Sequence, residues 1–307
     1  MNSFNPYNSP LEGLKKFFRS KSILVRLIII NTLVFLAINF IKIIFFLFQI
    51  NPYIDEFSQI SKTIYWLAVP ADFNALLLKP WTIITYMFLQ ENLLHIFFNM
   101  FMLYFGGQIF VKYLGEKRLI STYLFGGIAG AIFYIASFNI FPAFQNAIHY
   151  SLALGASASV LAILIAISSY IPDFSINLLL LGKIKLKYIA VFIVVIDILS
   201  IDKGNAGGHL AHLGGAFFGF TYIKLMKSGI HLPVIDFTGL FKRKSAYTKF
   251  TTIKNEKKRP LSDEEYNKIK LENQKRIDHI LEKISKSGYE SLTKEEKELL
   301  FNMSNKK

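Results

Sequence analysis

The chain has 307 residues, 52% of them hydrophobic, and a formal net charge of +14 at neutral pH. Its longest apolar runs exceed what the core of a soluble domain needs, so the sequence predicts a membrane protein. The lack of cysteine excludes disulfides, thiolate metal sites and a cysteine nucleophile. Many Lys and Arg residues lie in short loops beside apolar runs, so we interpret the charge as a topology signal, and we predict no nucleic-acid partner.

Six apolar segments approach the roughly 20 residues that a helix needs to cross a bilayer. These predicted spans are residues 27–50, 93–112, 118–138, 151–170, 187–201 and 206–226. Basic residues cluster before the first span and in every second loop after it, which predicts that these loops and both chain ends are cytoplasmic. The predicted fold class is therefore all-α, a six-helix multi-pass membrane bundle.

The chain changes character after the sixth predicted span. A poorly patterned linker precedes the sequence Ser262-Asp263-Glu264-Glu265, which is a capping box that opens a helix. Gly288 is predicted to end that helix, and a second capping box follows at Thr293. We therefore predict a small soluble helical hairpin at the C-terminus. The predicted regions are a cytosolic N-terminal segment (1–22), a six-span domain (23–227), a linker (228–260) and a cytosolic helical domain (261–307).

A few polar residues lie inside the predicted spans, where each is expensive unless it faces a cavity or a partner. His95 and Asn99 share one face in the first two turns of the second span. Ser157 lies one to two turns below the outer surface in the fourth span, and His209 and His212 lie in the first two turns of the sixth. Because all these positions lie near the outer side, we expect the polar groups to converge on one layer.

Glycines predict how the fourth and sixth spans meet. Gly208, Gly215 and Gly219 share a helix face with His212, and small residues at such spacing let helix backbones approach closely. The imidazole of His212 can then reach the hydroxyl of Ser157, which predicts a nucleophile and its general base.

Other groups are candidates for the rest of this site, as oxyanion donors or as a carboxylate partner of His212. The side chains of His95 and Asn99 and the backbone N–H of Ser157 can stabilise an oxyanion. Asp197 and Asp202 are candidates for a third member, but Asp197 lies on another helix and neither spacing places a carboxylate behind His212. We therefore predict a dyad without a carboxylate.

At these residues the sequence resembles the rhomboid intramembrane proteases over roughly residues 66–227. His95-Ile96-Phe97-Phe98-Asn99 is similar to the family's oxyanion motif, Gly155-Ala156-Ser157 to its nucleophile motif, and Ala211-His212-Leu213-Gly214-Gly215 to its base motif. The sequence departs from the family where Ala158, Leu161, Thr82 and Gln90 replace the glycine, aromatic residue, arginine and histidine often found there.

The resemblance implies a serine endopeptidase that cleaves single-span membrane proteins near the outer membrane face. It implies catalysis by Ser157 and His212, an oxyanion site that includes His95 and Asn99, and no metal or other cofactor. Gly155 and His209 are candidates for supporting that site. The short C-terminal helical domain resembles one appended to some bacterial rhomboids, which implies a bacterial plasma membrane.

Two other functions remain open from the sequence. The fold can be kept without catalysis, as in inactive relatives that bind transmembrane helices, although the presence of both Ser157 and His212 argues against this. A small transporter with proton-relaying histidines accounts for ionisable residues inside the spans. That hypothesis leaves the Gly-x-Ser motif and the glycine-lined face of the sixth span unexplained.

Overall fold

The computed structural model describes residues 22–54, 60–178, 182–230, 232–235, 263–293 and 295–298. The predicted N-terminal segment and most of the predicted linker lie outside these residues. The chain divides into two compact units, residues 1–241 and 242–307, which are described separately.

The first unit begins with a long helix and an irregular segment that leads to the second long helix. Its elements in chain order are α1 (Ile23–Leu47), α2 (Lys62–Leu67), β1 (Val69–Pro70), α3 (Phe73–Leu78), α4 (Thr82–Thr85) and a 3₁₀ turn (Tyr86–Phe88). Tertiary contacts hold this segment in place. The buried Lys79 donates from Nζ to the carbonyl of Tyr65 at 2.9 Å, and the rings of Trp66 and Trp81 stack 6.1 Å apart.

The remaining elements of the first unit form the bundle around the site. They are α5 (Leu93–Leu114), α6 (Glu116–Ile140), a 3₁₀ helix (Pro142–Ala147), β2 (Leu152–Ala153), α7 (Ser157–Tyr170), β3 (Ser175–Leu178), β4 (Gly182–Lys185), α8 (Leu186–Leu199) and α9 (Ala206–Lys227). A long helix is therefore present at each of the six predicted spans, with ends that differ from the prediction by a few residues.

The fourth predicted span differs most from its prediction. A helix was expected from residue 151, but α7 begins at Ser157 and residues 151–156 lie outside it. Leu152 and Ala153 form β2, which pairs antiparallel with Pro70 and Val69 of β1. This pairing and the positive φ of Gly155, +129°, hold the chain out of a helix until Ser157.

In the part of the chain that the structure describes, three helices are long and apolar enough to cross a membrane by length and composition, namely α1, α5 and α6, and α7 is a shorter apolar helix. The protein is therefore a helical membrane protein. The number of six spans stays a prediction, because α7 and α8 have 14 residues each.

Close backbone contact joins α7 and α9 at the core of the bundle. A Cβ on Gly215 would collide with the carbonyl oxygen of Ala158, and one on Gly219 with that of Ala162. The predicted close approach of the fourth and sixth spans is confirmed at these two glycines. It is wrong for Gly208, where the three atoms nearest to an added Cβ all belong to the side chain of Asn205, the residue before α9.

The predicted hairpin around Gly182 is confirmed. β3 and β4 pair antiparallel, with Ser175 opposite Lys185 and Leu178 opposite Gly182. Asp173, just before β3, accepts hydrogen bonds from Lys185 and Lys187 at 2.9 Å each. These two lysines lower the pKa of the Asp173 carboxyl to about 2.

The second unit contains α10 (Asp263–Ser287), followed by a 3₁₀ turn (Tyr289–Ser291). As predicted, α10 ends at Gly288, which has a φ of +75°. The second predicted capping box, at Thr293, is present. Thr293 N donates to Glu296 Oε2 at 2.7 Å, and Glu296 N donates to Thr293 Oγ1 at 3.3 Å. Ser262 and residues 299–307 lie outside the described residues, so the complete hairpin stays a prediction.

Candidate active site

Ser157 and His212 are in direct contact. Ser157 Oγ lies 2.6 Å from His212 Nε2, and both residues are only partly exposed. Ser157 is the first residue of α7, and His212 lies in the second turn of α9, one turn before Gly215. Because Gly215 packs against Ala158, the residue after Ser157, the close helix approach sets the distance between hydroxyl and imidazole.

A carboxylate lies behind His212, contrary to the sequence prediction. Asp197 Oδ1 is 2.8 Å from Nδ1 of His212 and 2.8 Å from Nδ1 of His209. Asp197 lies in the last turn of α8 and is only 5% exposed. The prediction of a dyad without a carboxylate was wrong because the short loop 200–205 folds the end of α8 against the start of α9. Asp202, in that loop, is exposed.

The sequence contained one signal for Asp197 that the spacing argument missed. A carboxylate in the last turn of an apolar helix faces the negative end of the helix dipole and the cost of burial. Such a group needs donors, and His209 and His212 come shortly after it in the chain. A carboxylate at the end of an apolar helix, followed shortly by two histidines, therefore predicts the contact of Asp197 with these histidines better than spacing within one helix does.

His95 lies beside the serine at Gly155. A Cβ on Gly155 would be 3.0 Å from His95 Cε1 and 3.4 Å from Ser157 Oγ. The absence of a side chain at Gly155 therefore lets the ring of His95 and the hydroxyl of Ser157 occupy the same small region. Gly155 is also fixed by its backbone N–H, which donates to the carbonyl oxygen of Tyr86 at 2.9 Å.

Asn99 lies one turn after His95 on α5 and is buried. Its Nδ2 donates to Gln90 Oε1 at 3.0 Å, and Gln90 Nε2 in turn donates to Asn31 Oδ1 at 3.4 Å. Asn31 Nδ2 also donates to the hydroxyl of Tyr123, at 3.0 Å. No pattern in the sequence predicted a common network of Gln90, Asn31 and Tyr123, since they come from distant parts of the chain.

Asp197, His209 and His212 form the group of potential metal ligands in the described part of the chain. Their ligand atoms all lie within 4.8 Å of one another, and imidazoles with a carboxylate are donors that zinc accepts. In the structure the same atoms are paired with each other, and the other ring nitrogen of His212 faces Ser157. The geometry thus accounts for these three residues by hydrogen bonding, and the absence of a metal stays a prediction.

The fold and the site define a helical membrane protein in which a serine, an imidazole and a carboxylate form one hydrogen-bonded chain between apolar helices. Comparison with protein families matches residues 78–228 to the Rhomboid domain. The chain therefore belongs to the rhomboid family, as its motifs predicted. Residues 262–306 match a family of unknown function (DUF6576).

The chain is also similar to several rhomboid-like proteins. It is 29% identical over 143 residues to presenilin-associated rhomboid-like protein A, mitochondrial, of Danio rerio, with 44% of this chain and 35% of the relative covered. It is 31% identical over 144 residues to RHOMBOID-like protein 12, mitochondrial, of Arabidopsis thaliana, with 44% and 43% covered. The alignments thus span less than half the length of these curated relatives.

Proposed function

We propose that the protein is an intramembrane serine endopeptidase in which Ser157 is the nucleophile and His212 is the general base. The contact of 2.6 Å between Ser157 Oγ and His212 Nε2 carries this proposal. A serine hydroxyl is a weak nucleophile unless a base within hydrogen-bond reach takes its proton. In this mechanism Oγ attacks the scissile carbonyl carbon while its proton passes to Nε2. The protonated imidazole then donates that proton to the leaving amine as the C–N bond breaks, which leaves the acyl group as an ester on Oγ. A water molecule that gives its proton to the same Nε2 then attacks this ester, and the imidazole returns the proton to Oγ as the acid product leaves.

The start of α7 supports the same proposal. The first hydrogen bond within this helix is donated by Val160 to Ala156, so the backbone N–H groups of the residues before Val160 have no acceptor within the helix. These groups and the positive end of the helix dipole favour a negative charge at that point. The N–H of Ser157 can therefore stabilise the oxyanion that forms when Oγ attacks. The later start of α7 than the sequence predicted creates this arrangement.

His95 and Asn99 are proposed to complete the oxyanion site. His95 lies against Gly155 beside the hydroxyl of Ser157. Asn99 gives one side-chain N–H to Gln90, and the second N–H of an amide remains for an oxyanion. Removal of a single donor of this kind costs roughly 100- to 1,000-fold in rate.

The substrate class follows from the proposed location of the site. We propose that single-span membrane proteins are cleaved near the outer face, where residues with weak helix propensity let a peptide bond become extended. β2, which pairs antiparallel with β1, ends four residues before Ser157 and supplies extended backbone close to the nucleophile in the chain. Substrate proteins and the lipid bilayer are the proposed partners, and no cofactor is proposed.

We also propose six spans with both termini in the cytoplasm of a bacterium, and the domain boundaries predicted from the sequence. The distribution of Lys and Arg supports the orientation. The names of the relatives place those proteins in mitochondria, which does not favour a bacterial plasma membrane.

The natural lack of cysteine allows a direct test of orientation. Single cysteines introduced as Asp202→Cys and Lys183→Cys lie in loops predicted on opposite sides of the membrane. A membrane-impermeant maleimide added to intact cells should label the first and spare the second. The reverse result contradicts the proposed orientation.

Activity is tested with the full chain in liposomes and two readouts. One is cleavage of a single-span substrate with a helix-destabilised outer segment, and the other is labelling by a fluorophosphonate, which reacts with activated serines. Ser157→Ala and His212→Ala should abolish both. Ser159→Ala is the matched control for the serine, because Ser159 lies on the same helix and its Oγ has no hydrogen-bond partner within the described part of the chain.

His149→Ala is the matched control for the histidine, since His149 is exposed and lies in another loop. Both controls and treatment with EDTA should leave cleavage and labelling unchanged. A wild-type protein that gives neither signal, or cleavage that survives Ser157→Ala, contradicts the proposed protease. The first of these results favours the alternative of an inactive relative that binds transmembrane helices.

A further inference from the structure

We infer that Asp197 is a positioning residue for His212 and that His209 orients Asp197. This inference rests on the proposed function and adds to it a carboxylate that the resemblance did not imply. The three residues lie on two neighbouring helices, Asp197 on α8 and both histidines on α9. The observation behind it is that one carboxylate oxygen, Asp197 Oδ1, lies 2.8 Å from the Nδ1 atoms of both His209 and His212.

The contact fixes where the ring proton of His212 lies. An ionised carboxylate only accepts hydrogen bonds, so the Nδ1 atom that faces it must carry a hydrogen. A neutral imidazole protonated on Nδ1 has its lone pair on Nε2. That lone pair points to Ser157 Oγ at 2.6 Å, which is the arrangement a general base needs. Asp197 therefore selects the tautomer of His212 that can take the proton of the serine.

The same carboxylate stabilises the charge that develops during the reaction. When the proton moves from Ser157 Oγ to His212 Nε2, the ring keeps its Nδ1 hydrogen and becomes an imidazolium. Asp197 stays unprotonated and then forms an ion pair with that ring at the distance already present. Because Asp197 is almost fully buried, water screens this attraction little. The interaction strengthens only as the reaction proceeds. It therefore lowers the activation barrier and leaves the binding energy of the substrate unchanged.

His209 is assigned a different task. Its Nδ1 bonds to the same oxygen as His212, and its ring lies edge-on to the ring of His212 with centroids 5.9 Å apart. Asp197 Oδ2 is buried and has no hydrogen-bond partner among the described residues, so Oδ1 takes both described bonds of this carboxylate. His209 thus holds Oδ1 toward His212 and prevents rotation of the carboxylate. It acts through Asp197 and is not a catalytic residue.

The tautomer is measured directly on the wild-type protein. Nitrogen NMR of histidine-labelled protein in liposomes distinguishes a protonated ring nitrogen from one with a lone pair, and the His212→Asn spectrum assigns the signals. We expect His212 to carry its hydrogen on Nδ1 near neutral pH. A dominant Nε2-protonated form overturns the inference. This measurement does not depend on any activity.

Kinetics supply the second test. Asp197→Asn keeps the size of the side chain and removes its charge, and Asp202→Asn is the matched control on an exposed residue a few positions later. We expect Asp197→Asn to lower kcat and the fluorophosphonate labelling rate at least roughly 100-fold with little change in KM; the equivalent change in a serine protease triad costs about 10⁴-fold. Asp202→Asn should match the wild type.

His209→Ala should lower kcat less than Asp197→Asn does, with KM again unchanged, because the carboxylate remains. If Asp197→Asn does not fold, His209→Ala and the wild-type tautomer still decide the question. Full kcat in a folded Asp197→Asn variant overturns the inference while leaving the proposed protease intact. A wild-type protein without cleavage or labelling instead refutes the proposed function.

Discussion

The amide of Asn99 donates a hydrogen bond to the side-chain oxygen of Gln90 at 3.0 Å, nine residues earlier in the chain. Gln90 is fully buried and also contacts Asn31 on α1. The orientation of a proposed oxyanion donor therefore depends on a network anchored outside α7 and α9, the helices that hold Ser157 and His212. Gln90 is one of the positions where the sequence departs from the family pattern, and it makes contacts that account for a polar residue there.

Replacing Gln90 by methionine is expected to impair both stability and catalysis. Gln90→Met keeps the approximate volume but leaves the buried amide groups of Asn99 and Asn31 without this partner, which costs about 1–3 kcal/mol for an unsatisfied buried group. Asn99 is then free to rotate, and we expect kcat to fall about tenfold, less than for Asn99→Ala. Thermal unfolding and the cleavage assay measure the two effects.

Gln108→Met is the control for that substitution, because Gln108 is an exposed residue on α5. It should change neither the melting temperature nor kcat. Gln90→Met with the kcat of the wild type contradicts a positioning role for this network in catalysis.

A side chain at Gly215 is expected to separate α7 from α9. The Cβ of Gly215→Ala would collide with the backbone carbonyl of Ala158, which a side-chain rotation cannot relieve. Overpacking of this kind costs roughly 1–3 kcal/mol, and the separation of Ser157 from His212 should reduce labelling as well. Thermal unfolding of the reconstituted protein gives the stability change.

The matched control is Gly208→Ala, on the same helix. The three atoms nearest to its Cβ all belong to the side chain of Asn205 and not to a backbone, and the nearest lies at 2.5 Å. We expect a much smaller loss of stability than at Gly215. Equal effects at the two glycines would show that close contact with α7 is not what Gly215 provides.

The ion pair between Asp72 and His149 is expected to weaken in acid. His149 Nδ1 lies 2.7 Å from Asp72 Oδ2, and this hydrogen bond, with those from the backbone of Asn74 and Ala75, lowers the pKa of Asp72 below its usual 3.8. A depressed carboxyl pKa stabilises the fold above the pKa of the unfolded chain, and that stability is lost as pH falls through the folded value. Loss is therefore expected below about pH 4, near the usual aspartate pKa.

Hydrogen exchange of residues 141–151 between pH 6 and pH 3 measures this effect, after correction for the intrinsic pH dependence of exchange. Asp72→Asn keeps an acceptor for the start of α3 but removes the charge that faces His149. The variant should lack the additional loss of protection in acid. The same acid response in both proteins would assign it to other carboxyl groups.

The two tryptophans report on the depth of the segment between α1 and α5. Trp66 and Trp81 are the only tryptophans in the sequence, and both are about half exposed. The indole N–H of Trp81 donates to the carbonyl oxygen of Trp66 at 2.9 Å, so the pair moves as one unit. If this segment lies at the membrane interface, where tryptophan is favoured, its fluorescence is quenched by shallow groups in the lipid.

Liposomes made with lipids brominated near the headgroup end of the acyl chain should quench this fluorescence more than lipids brominated near the chain end. Water-soluble acrylamide should quench only partly. Strong acrylamide quenching with no bromine effect would place the pair in water and contradict an interfacial segment.

The sequence by itself determined the membrane class, the approximate position of each long helix and the residues that meet at the serine. Apolar length, helical spacing and the motifs around His95, Ser157 and His212 are local properties, so a single chain is enough to read them. The capping box at Thr293 and the helix end at Gly288 were predictable for the same reason.

Tertiary structure alone decided three other features. It placed Asp197 behind His212, because the register between α8 and α9 depends on how the loop 200–205 folds. It delayed the start of α7 to Ser157, because β2 pairs with a strand more than 80 residues earlier. It joined Asn99 to Gln90 and Asn31 across separate segments. In each case the deciding contact links residues whose distance in space is set by packing, and no pattern along the chain encodes that distance.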